Sequence, residues 1–185
     1  TNNREKIHTG ELYFPNDTDL WNEQLQTLHL LEEYNQLSVN ETGKQKNLLT
    51  RMFAEIGHNC YIQPPLQANW GGKNVHFGND IYANFNLTLV DDTDIFVDNH
   101  VMFGPNVGLI TGSHPISPKL RKKGMQYNRP IHIEKNVWLG AGVIVLPGIT
   151  IGENSVIGAG SVVTKDIPAS VVAVGNPCKI LRKIE

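Results

Sequence analysis

The sequence predicts a mainly β protein, a parallel β-helix built from hexapeptide repeats, because two stretches of the chain repeat every six residues. In the second stretch the aliphatic positions are Ile133, Leu139, Val145, Ile151, Ile157 and Val163. Small residues directly follow several of them: Gly140, Gly152 and Gly158. The first stretch is less regular, with a two-residue shift before its last three members: Phe77, Ala83, Leu89, Ile95, then Val97, Phe103 and Leu109. A fixed repeat this short is typical of stacked architectures.

Each hexad is interpreted as a short strand followed by a corner. The aliphatic side chain points inward, and the small residue beside it lets the chain bend tightly. Three hexads make a triangular coil of about 18 residues, and successive coils stack about 4.8 Å apart, so that equivalent side chains form buried ladders. The period does not determine the handedness of the coil, and both ends of the stack require a cap.

Changes in the period divide the chain into three parts. Residues 1–57 are predicted to form an N-terminal helical cap, residues 58–168 the β-helix, and residues 169–185 a C-terminal tail. Within the β-helix, residues 111–130 lack the repeat and are rich in prolines, glycines and charges, which predicts a loop extruded from the stack.

Two helices are expected in the N-terminal cap. Asn16 or Asp17 can cap the first, whose apolar stripe is Leu20, Trp21, Leu25, Leu28, Leu31 and Tyr34. The second is expected from Glu41 to Ile56, with Gly57 as its stop. Its apolar stripe is Leu48, Leu49, Met52 and Phe53. Helices this short need the β-helix to pack against.

Composition and charge argue against several functional classes. The formal net charge is −2, so no surface for nucleic acid is expected. No apolar stretch is long enough to span a membrane, and no segment resembles a signal peptide. Cys60 and Cys178 form neither a Cys-x-x-Cys pair nor a Cys/His cluster, so a disulfide framework and a zinc site are not indicated. A cytoplasmic protein that requires no metal is therefore expected.

Several segments carry motifs more specific than the repeat. They are GELY (Gly10–Tyr13), IYANFNLTLVDD (Ile81–Asp92), FGPNV (Phe103–Val107), TGSHP (Thr111–Pro115), NVWLGAGVIVLPGITIGENSVIGAGSVVTKDIP (Asn136–Pro168) and VGNPCKILR (Val174–Arg182). Together they resemble the maltose/galactoside O-acetyltransferase family over nearly the whole chain. The resemblance implies a left-handed β-helix, a homotrimer, acetyl-CoA as acyl donor, a sugar hydroxyl as acceptor, and a site in each cleft between adjacent subunits.

His114, in the TGSHP segment, is the candidate general base. Acetyl transfer to a hydroxyl needs a base because an alcohol is a poor nucleophile, and a histidine base typically contributes about 10²–10⁴-fold. The resemblance places the family's catalytic histidine at this position. His114 would take the hydroxyl proton and return one to the thiol of CoA, so that no acetyl-enzyme is required.

Asn84 and Asp92 are the polar candidates for contact with the acceptor. The amide of Asn84 offers both a donor and an acceptor to a sugar hydroxyl, and the resemblance gives its position that role. The alternative is an asparagine that bonds its own backbone at a corner. The carboxylate of Asp92 can accept hydrogen bonds from sugar hydroxyls, whereas Asp91 is expected to shape the turn.

The donor-binding candidates lie in the second stretch of repeats and in the tail. Backbone N–H groups at the corner 140–142 can hold the tetrahedral oxyanion, and the resemblance selects Ala141. Trp138 either lines the pantetheine channel or forms a partly buried rim. For CoA the resemblance further implies a set of residues along the cleft and at the phosphates: Ala159, Thr164, Lys165, Lys179 and Arg182.

The acceptor side departs from the family pattern. Phe14 stands where the family often has aspartate, and Gln24 where it commonly has arginine. A small polar or acidic residue expected before a Tyr-Gly step falls on Trp70, or on Asn69 if one insertion is allowed. If the chain is shifted by a few residues relative to the family, Asp17 can replace the missing aspartate. The predicted acceptor-binding set is therefore Asp17, Trp70, Asn84 and Asp92, with the identity of the acceptor open.

Three other functions fit parts of the sequence. A streptogramin-type antibiotic acetyltransferase shares the scaffold and the loop histidine. A zinc hydratase of the γ-type carbonic anhydrase class needs three converging ligands, and no His-x-x-x-x-His pair is present among the candidates. Those candidates are His76, His100, His114 and His132. A non-catalytic scaffold would use the stack only to assemble partners.

Overall fold

The computed structural model describes residues 2–185, which form a parallel β-helix with helices at its N-terminal end and a hairpin extruded from one corner. The helices are α1 (Asn3–Lys6), α2 (Thr18–Gln36), α3 (Thr42–Met52) and α4 (Pro118–Lys122). The first three precede the stack, and the fourth lies within the extruded hairpin.

Three parallel sheets form the sides of the β-helix, and each coil visits them in the order I, II, III. Sheet I contains β1 (Glu55–Ile56), β4 (Val75–Phe77), β7 (Ile95–Val97), β12 (Ile131–Ile133) and β15 (Thr150–Ile151). Sheet II contains β2 (Tyr61–Ile62), β5 (Tyr82–Ala83), β8 (Met102–Phe103), β13 (Trp138–Leu139), β16 (Val156–Ile157), β18 (Val171–Gly175) and the antiparallel β19 (Cys178–Lys183). Sheet III contains β3 (Leu66–Ala68), β6 (Leu87–Val90), β9 (Gly108–Ile110), β14 (Ile144–Val145) and β17 (Val162–Val163).

The sixth-residue positions of the sequence form the inner column of the stack, as predicted. Strand register places them over one another: Val97, Ile133 and Ile151 in sheet I; Phe103, Leu139 and Ile157 in sheet II; Leu109, Val145 and Val163 in sheet III. Each of these side chains is at most 3% exposed. The two-residue shift in the sequence arises because Ile95 and Val97 both point inward from β7, while Phe96 between them points outward.

The N-terminal helices cover the open end of the β-helix. Asp17, one of the two predicted caps, accepts the N–H groups of Asp19 and Leu20 at 2.9 and 3.2 Å at the start of α2. Further along α2, the amide of Asn35 donates to the carbonyl of Leu66 and accepts from its N–H, both at 2.8 Å. These bonds satisfy backbone groups of the first coil that no further strand pairs with.

Two boundaries of the stack differ from those predicted. Helix α3 ends at Met52 rather than at Ile56, because Glu55–Ile56 form β1 and pair with β4. Gly57 therefore does not end a helix: a Cβ there would lie 2.0 Å from Oδ1 of Asn79, so glycine permits close stacking of coils. At the other end β18 pairs in parallel with β16, and the stack continues beyond residue 168.

The extruded segment 111–130 contains regular structure. Strands β10 (Gly112–Ser113) and β11 (Tyr127–Asn128) pair in an antiparallel hairpin. Between them, Ser117 caps α4 by accepting the N–H of Leu120 at 3.4 Å. The predicted extrusion is confirmed, and the hairpin gives the histidine that follows β10 a defined position.

Residues 2–185 contain neither a membrane-spanning helix nor a cluster of metal-ligating side chains. No helix there is both long and apolar enough to cross a membrane. The same residues contain no group of three or more His, Cys, Asp or Glu side chains placed to hold a metal ion. The histidines that were candidate zinc ligands have other partners: His76 lies beside Asp94 on sheet I, and His100 lies 3.7 Å from Asp80.

Candidate active site

One corner of the β-helix collects many of the predicted polar residues. The turns that lead from sheet III to sheet I stack on one another, and we call them the loop corner: residues 69–74, 91–94, 111–130, 146–149 and 164–166. The predicted site residues that belong to the loop corner are Trp70, Asp92, His114, Thr164 and Lys165.

His114 lies at the base of the extruded hairpin, directly after β10. Its imidazole is exposed, and its Nδ1 lies 3.2 Å from the carbonyl oxygen of Met125 on the returning side of the hairpin. A carbonyl oxygen only accepts hydrogen bonds, so Nδ1 carries the proton in the neutral ring and Nε2 has a free lone pair. The hairpin therefore favours the tautomer in which Nε2 acts as a base.

Asp92 lies at the same corner, with its carboxylate held from two sides. Nδ2 of Asn69 donates to Oδ1, and Nε2 of Gln126 donates to Oδ2 at 2.7 Å. Burial raises the pKa of Asp92, while these two hydrogen bonds and the nearby His114 oppose that rise. The carboxylate is thus oriented by two amides and lies within the electrostatic range of the candidate base.

Asp91 shapes the turn, as expected. Its buried carboxylate accepts the N–H groups of Trp70 at 2.7 Å and of Gly72 at 3.0 Å. Burial raises the pKa of Asp91 to about 7, although the backbone N–H groups favour its ionised form. By fixing the turn after β3, Asp91 also fixes the position of Asn69.

The structure brings Asn69, and not Trp70, to Asp92. Trp70 is 7% exposed and packs in a small core with Ile7, Tyr13 and Leu20. Its indole is therefore mainly a core group, and a contact between Trp70 and the acceptor stays a prediction. The single-insertion alternative, Asn69, lies beside Asp92, and its backbone carbonyl accepts a hydrogen bond from Nε2 of Gln24 at 2.6 Å.

Asp17 is occupied elsewhere, at the N-terminal helices. Its carboxylate accepts from Nδ2 of Asn3 at 3.1 Å in addition to capping α2. The bond from Asn3 and those from the helix N–H groups lower the pKa of Asp17. In the structure Asp17 holds α1 and α2 together, and its role as an acceptor-binding acid stays a prediction.

A second corner, where sheet II turns into sheet III, carries other candidates. We call it the glycine corner: residues 84–86, 104–106, 140–142 and 158–160. Among residues 2–185, the N–H groups of Ala141 and Ala159 have no hydrogen-bond acceptor, and both residues are exposed. These free donors lie on successive coils, about 4.8 Å apart, and suit the binding of a developing negative charge.

Asn84 begins the first turn of the glycine corner. Its Oδ1 accepts the N–H of Phe85 at 2.8 Å, which is the backbone bond considered as the alternative use of this residue. That bond fixes the carbonyl end of the amide. Nδ2 has no acceptor within residues 2–185 and remains able to donate to a bound molecule.

The other donor-side candidates share the outer surface of sheet II. Trp138 is 51% exposed and lies in register with Met102 and Val156. Lys179 and Arg182 are exposed on β19, the antiparallel edge strand of the same sheet. Ala141, Ala159 and these three side chains thus form one continuous face, whereas Thr164 and Lys165 lie at the loop corner.

A single protomer does not join the two corners. Sheet III lies between them, and a side of five or six residues spans roughly 17–20 Å. His114 and Asp92 are therefore too far from Asn84 and Ala141 of the same chain to act on one small acceptor. The predicted residues form two half-sites on opposite edges of sheet III.

Sequence reasoning missed the polar residues that surround Asp92. Nδ2 of Asn128 donates to Oη of Tyr13 at 2.9 Å and to the carbonyl of Asp92 at 3.3 Å, and Gln126 is also buried. One signal was available: the two amides at 126 and 128 are two positions apart and so lie on one face of a strand. That spacing indicates a buried polar face on the returning side of the hairpin.

Comparisons with known proteins identify the family. The bacterial transferase hexapeptide (six repeats) model matches residues 130–165, and the maltose acetyltransferase hexapeptide capping motif matches residues 6–57. The chain is 68% identical over 180 residues to the galactoside O-acetyltransferase of Lactococcus lactis subsp. lactis (strain IL1403), covering 97% of this chain and 87% of the relative. The chain belongs to the maltose/galactoside O-acetyltransferase family. The galactoside O-acetyltransferase of Escherichia coli (strain K12) is 44% identical over 180 residues, covering 97% and 88%.

Solved structures of this family superpose on the whole chain. A maltose O-acetyltransferase from Clostridium difficile 630 matches with a TM-score of 0.98 and 40% identity, covering 100% of this chain and 98% of that one. A galactoside acetyltransferase in complex with coenzyme A matches with a TM-score of 0.97 and 43% identity, covering 100% and 92%. The predicted left-handed β-helix and the family resemblance are confirmed, and the protein is an acyltransferase.

Proposed function

We propose that this protein transfers the acetyl group of acetyl-CoA to a hydroxyl of a galactoside or a related sugar. The observation that carries the proposal is the geometry of His114, whose Nδ1 is engaged by the Met125 carbonyl while the imidazole is exposed at the corner that holds Asp92. Support for the donor comes from the related galactoside acetyltransferase, which has coenzyme A bound. Support for the acceptor comes from the 68% identical relative, a galactoside O-acetyltransferase.

The acetyl group passes directly from CoA to the acceptor hydroxyl. Nε2 of His114 takes the proton of the acceptor hydroxyl as its oxygen bonds to the carbonyl carbon of the thioester. The N–H of Ala141 donates to the oxygen of the tetrahedral intermediate. When the carbon–sulfur bond breaks, the leaving thiolate of CoA takes the proton from the imidazolium. The base is restored, and no acetyl-enzyme forms.

Two polar groups orient the acceptor. Asp92 accepts a hydrogen bond from a second hydroxyl of the sugar, since two of its lone pairs are free of the amides of Asn69 and Gln126. Nδ2 of Asn84 donates to the sugar from the opposite side of the cleft. Fixing the hydroxyl between a base and an amide converts the attack into an effectively intramolecular step.

The complete site requires more than one copy of the chain. If the loop corner of one protomer meets the glycine corner of the next, three such contacts close a ring and sheet III of each protomer faces the threefold axis. The outward side chains of sheet III suit that burial, being small or aliphatic at most positions: Gly108, Ile110, Ile144 and Val162. A homotrimer of this kind has three equivalent clefts.

Each cleft combines donor-binding groups from both neighbours. One protomer contributes the face of sheet II with Trp138, along which pantetheine lies, and the exposed N–H of Ala159. Its tail contributes cations that pair with the phosphates of CoA as charged donors, namely Lys179 and Arg182. The other protomer contributes Thr164 and Lys165 from its loop corner.

The acceptor class is tested by measuring release of the CoA thiol with galactosides, maltose and a streptogramin as acceptors. We expect the highest kcat/KM with a galactoside, because sugar hydroxyls match a base and a carboxylate held at one corner. If only the streptogramin is acetylated, the acceptor is an antibiotic and the proposed sugar acceptor is wrong. No turnover with any acceptor would contradict the enzymatic proposal and favour a scaffold.

The shared site is tested by complementation between two inactive variants. His114→Ala and Asn84→Ala proteins carry different tags and are co-expressed, and mixed trimers are purified through both tags. A cleft is intact when its loop corner comes from the Asn84 variant and its glycine corner from the His114 variant. Every trimer that carries both tags has one intact cleft of three, so the purified mixed trimers regain about a third of the wild-type rate. Mixed trimers as inactive as either parent would show that both residues act within one protomer.

A further inference from the structure

Gln126 links the candidate base to the N-terminal segment through its backbone. The N–H of Tyr13 donates to the carbonyl of Gln126 at 2.9 Å, and the N–H of Gln126 donates to the carbonyl of Tyr13 at 3.0 Å. The preceding residue, Met125, supplies the carbonyl that accepts from Nδ1 of His114. The backbone position of Gln126 therefore determines where the imidazole is held.

The side chain of the same residue holds the carboxylate. Nε2 of Gln126 lies 2.7 Å from Oδ2 of Asp92, 2.9 Å from Oδ1 of Asn128 and 3.0 Å from Oη of Tyr13. A carboxylate oxygen only accepts, so the nitrogen of the amide must face Asp92. With two hydrogens and three acceptors, Nε2 favours the charge-assisted bond to Asp92, which is also the shortest.

Close packing leaves Asp92 no alternative orientation on this side. A Cβ added to Gly112 would lie 2.3 Å from Oδ2 of Asp92 and 3.1 Å from Nε2 of Gln126. Asp92 and Gln126 are 5% and 8% exposed, so water does not replace the amide as a hydrogen-bond donor. The direction of the carboxylate follows that of the Gln126 side chain.

We propose that Gln126 is a positioning residue that sets the direction of the Asp92 carboxylate relative to the His114 imidazole, and thereby selects acceptors with two hydroxyls at a matching separation. One hydroxyl gives its proton to Nε2 of His114, and the second donates to Asp92. A polyhydroxylated acceptor satisfies both groups, whereas a simple alcohol satisfies one. This inference rests on the proposed acetyl transfer to sugars.

Gln126→Met tests the proposal, because methionine keeps the length of the side chain and removes the donor. Backbone pairing with Tyr13 is kept, so His114 stays in place and kcat changes by less than about twofold. The KM for the sugar rises about 10-fold, as for one lost hydrogen bond to a charged group, while the KM for acetyl-CoA is unchanged. Loss of the bond raises the pKa of Asp92, so the acid limb of kcat/KM against pH moves to higher pH.

Two further variants make the result decisive. Gln26→Met, an exposed glutamine on α2, is the matched control and leaves all parameters unchanged. Gln126→Glu keeps the shape of the side chain and sets two carboxylates side by side, so they share a proton and the acid limb moves upward even if the methionine variant fails to fold. Melting curves and trimer size establish folding in each case.

The outcomes separate this inference from the proposed function. A wild-type protein that acetylates no sugar contradicts the proposed function itself. An active wild type with a Gln126→Met variant of unchanged sugar KM and unchanged pH profile overturns the positioning role alone. So does a variant in which kcat falls and the KM for the sugar does not change, since that pattern indicates displacement of His114. An equal loss with a monohydroxylic alcohol as acceptor overturns the selection of paired hydroxyls.

Discussion

His114→Ala is expected to lower kcat for acetyl transfer by about 10²–10⁴-fold, the usual contribution of a positioned general base. The KM for acetyl-CoA should change by less than about twofold, because the proposed donor contacts lie on sheet II and at Thr164 and Lys165. The side chain is exposed and lies outside the inner column, so the melting temperature should be nearly unchanged. Steady-state thiol release at saturating sugar, with a thermal melt of the same sample, measures both effects.

His100→Ala is the matched control for this prediction. His100 is also an exposed histidine, and it lies 3.7 Å from Oδ2 of Asp80 on a turn between sheets I and II, away from both corners. Its loss should leave kcat unchanged. A fall of less than about threefold in the His114 variant would show that another group takes the hydroxyl proton. The hairpin would then serve only to bind substrate.

Most of the fold was predictable because burial in this architecture is nearly local. One residue in each hexad decides which way a short strand faces, so Leu139 and Val145 reveal their ladders without knowledge of distant contacts. The end of the second helix was not predictable in this way. Glu55–Ile56 leave the helix because they pair with β4, and strand pairing between separate segments overrides local helix propensity.

The candidate site residues could be selected from the sequence where a short motif contains a side chain suited to acetyl transfer. His114 and Asp92 each stand in such a motif, and the structure places both at the loop corner. The surroundings of Trp70 were not predictable, because its indole packs with Ile7, Tyr13 and Leu20, which are at least 50 positions away in sequence. Asn69 then faces Asp92 while the indole enters the core.

The polar network around Asp92 was hidden for a different reason. Gln126 and Tyr13 are 113 positions apart in sequence, and only the return of the hairpin onto the N-terminal segment brings them together. No local sequence pattern at Gln126 or at Tyr13 predicts the contact between them. The division of the site into two corners was likewise invisible in the motifs, because Asn84 and Asp92 stand in one segment yet lie on opposite edges of sheet III.

Gly104→Ala is expected to destabilise the protein and to slow the transfer, because it acts on the corner that carries Ala141. A Cβ at Gly104 would lie 2.7 Å from the backbone nitrogen of Ala141 and 3.0 Å from the carbonyl carbon of Gly140. These are backbone atoms, so no rotamer change relieves the overlap and the next coil must shift. We expect a loss of about 1–3 kcal/mol in the free energy of unfolding, the usual cost of overpacking.

The same shift moves the N–H that would hold the oxyanion, so kcat should fall by about 10-fold or more even in the folded fraction. Gly43→Ala is the matched control: a Cβ there meets nothing within 4 Å, and alanine favours helix α3, so stability should rise by roughly 0.5–1 kcal/mol with kcat unchanged. Urea unfolding and thiol release measure both variants. A Gly104 variant that loses stability but keeps full kcat would show that the glycine corner supports the stack without taking part in transfer, and the oxyanion would then require another donor.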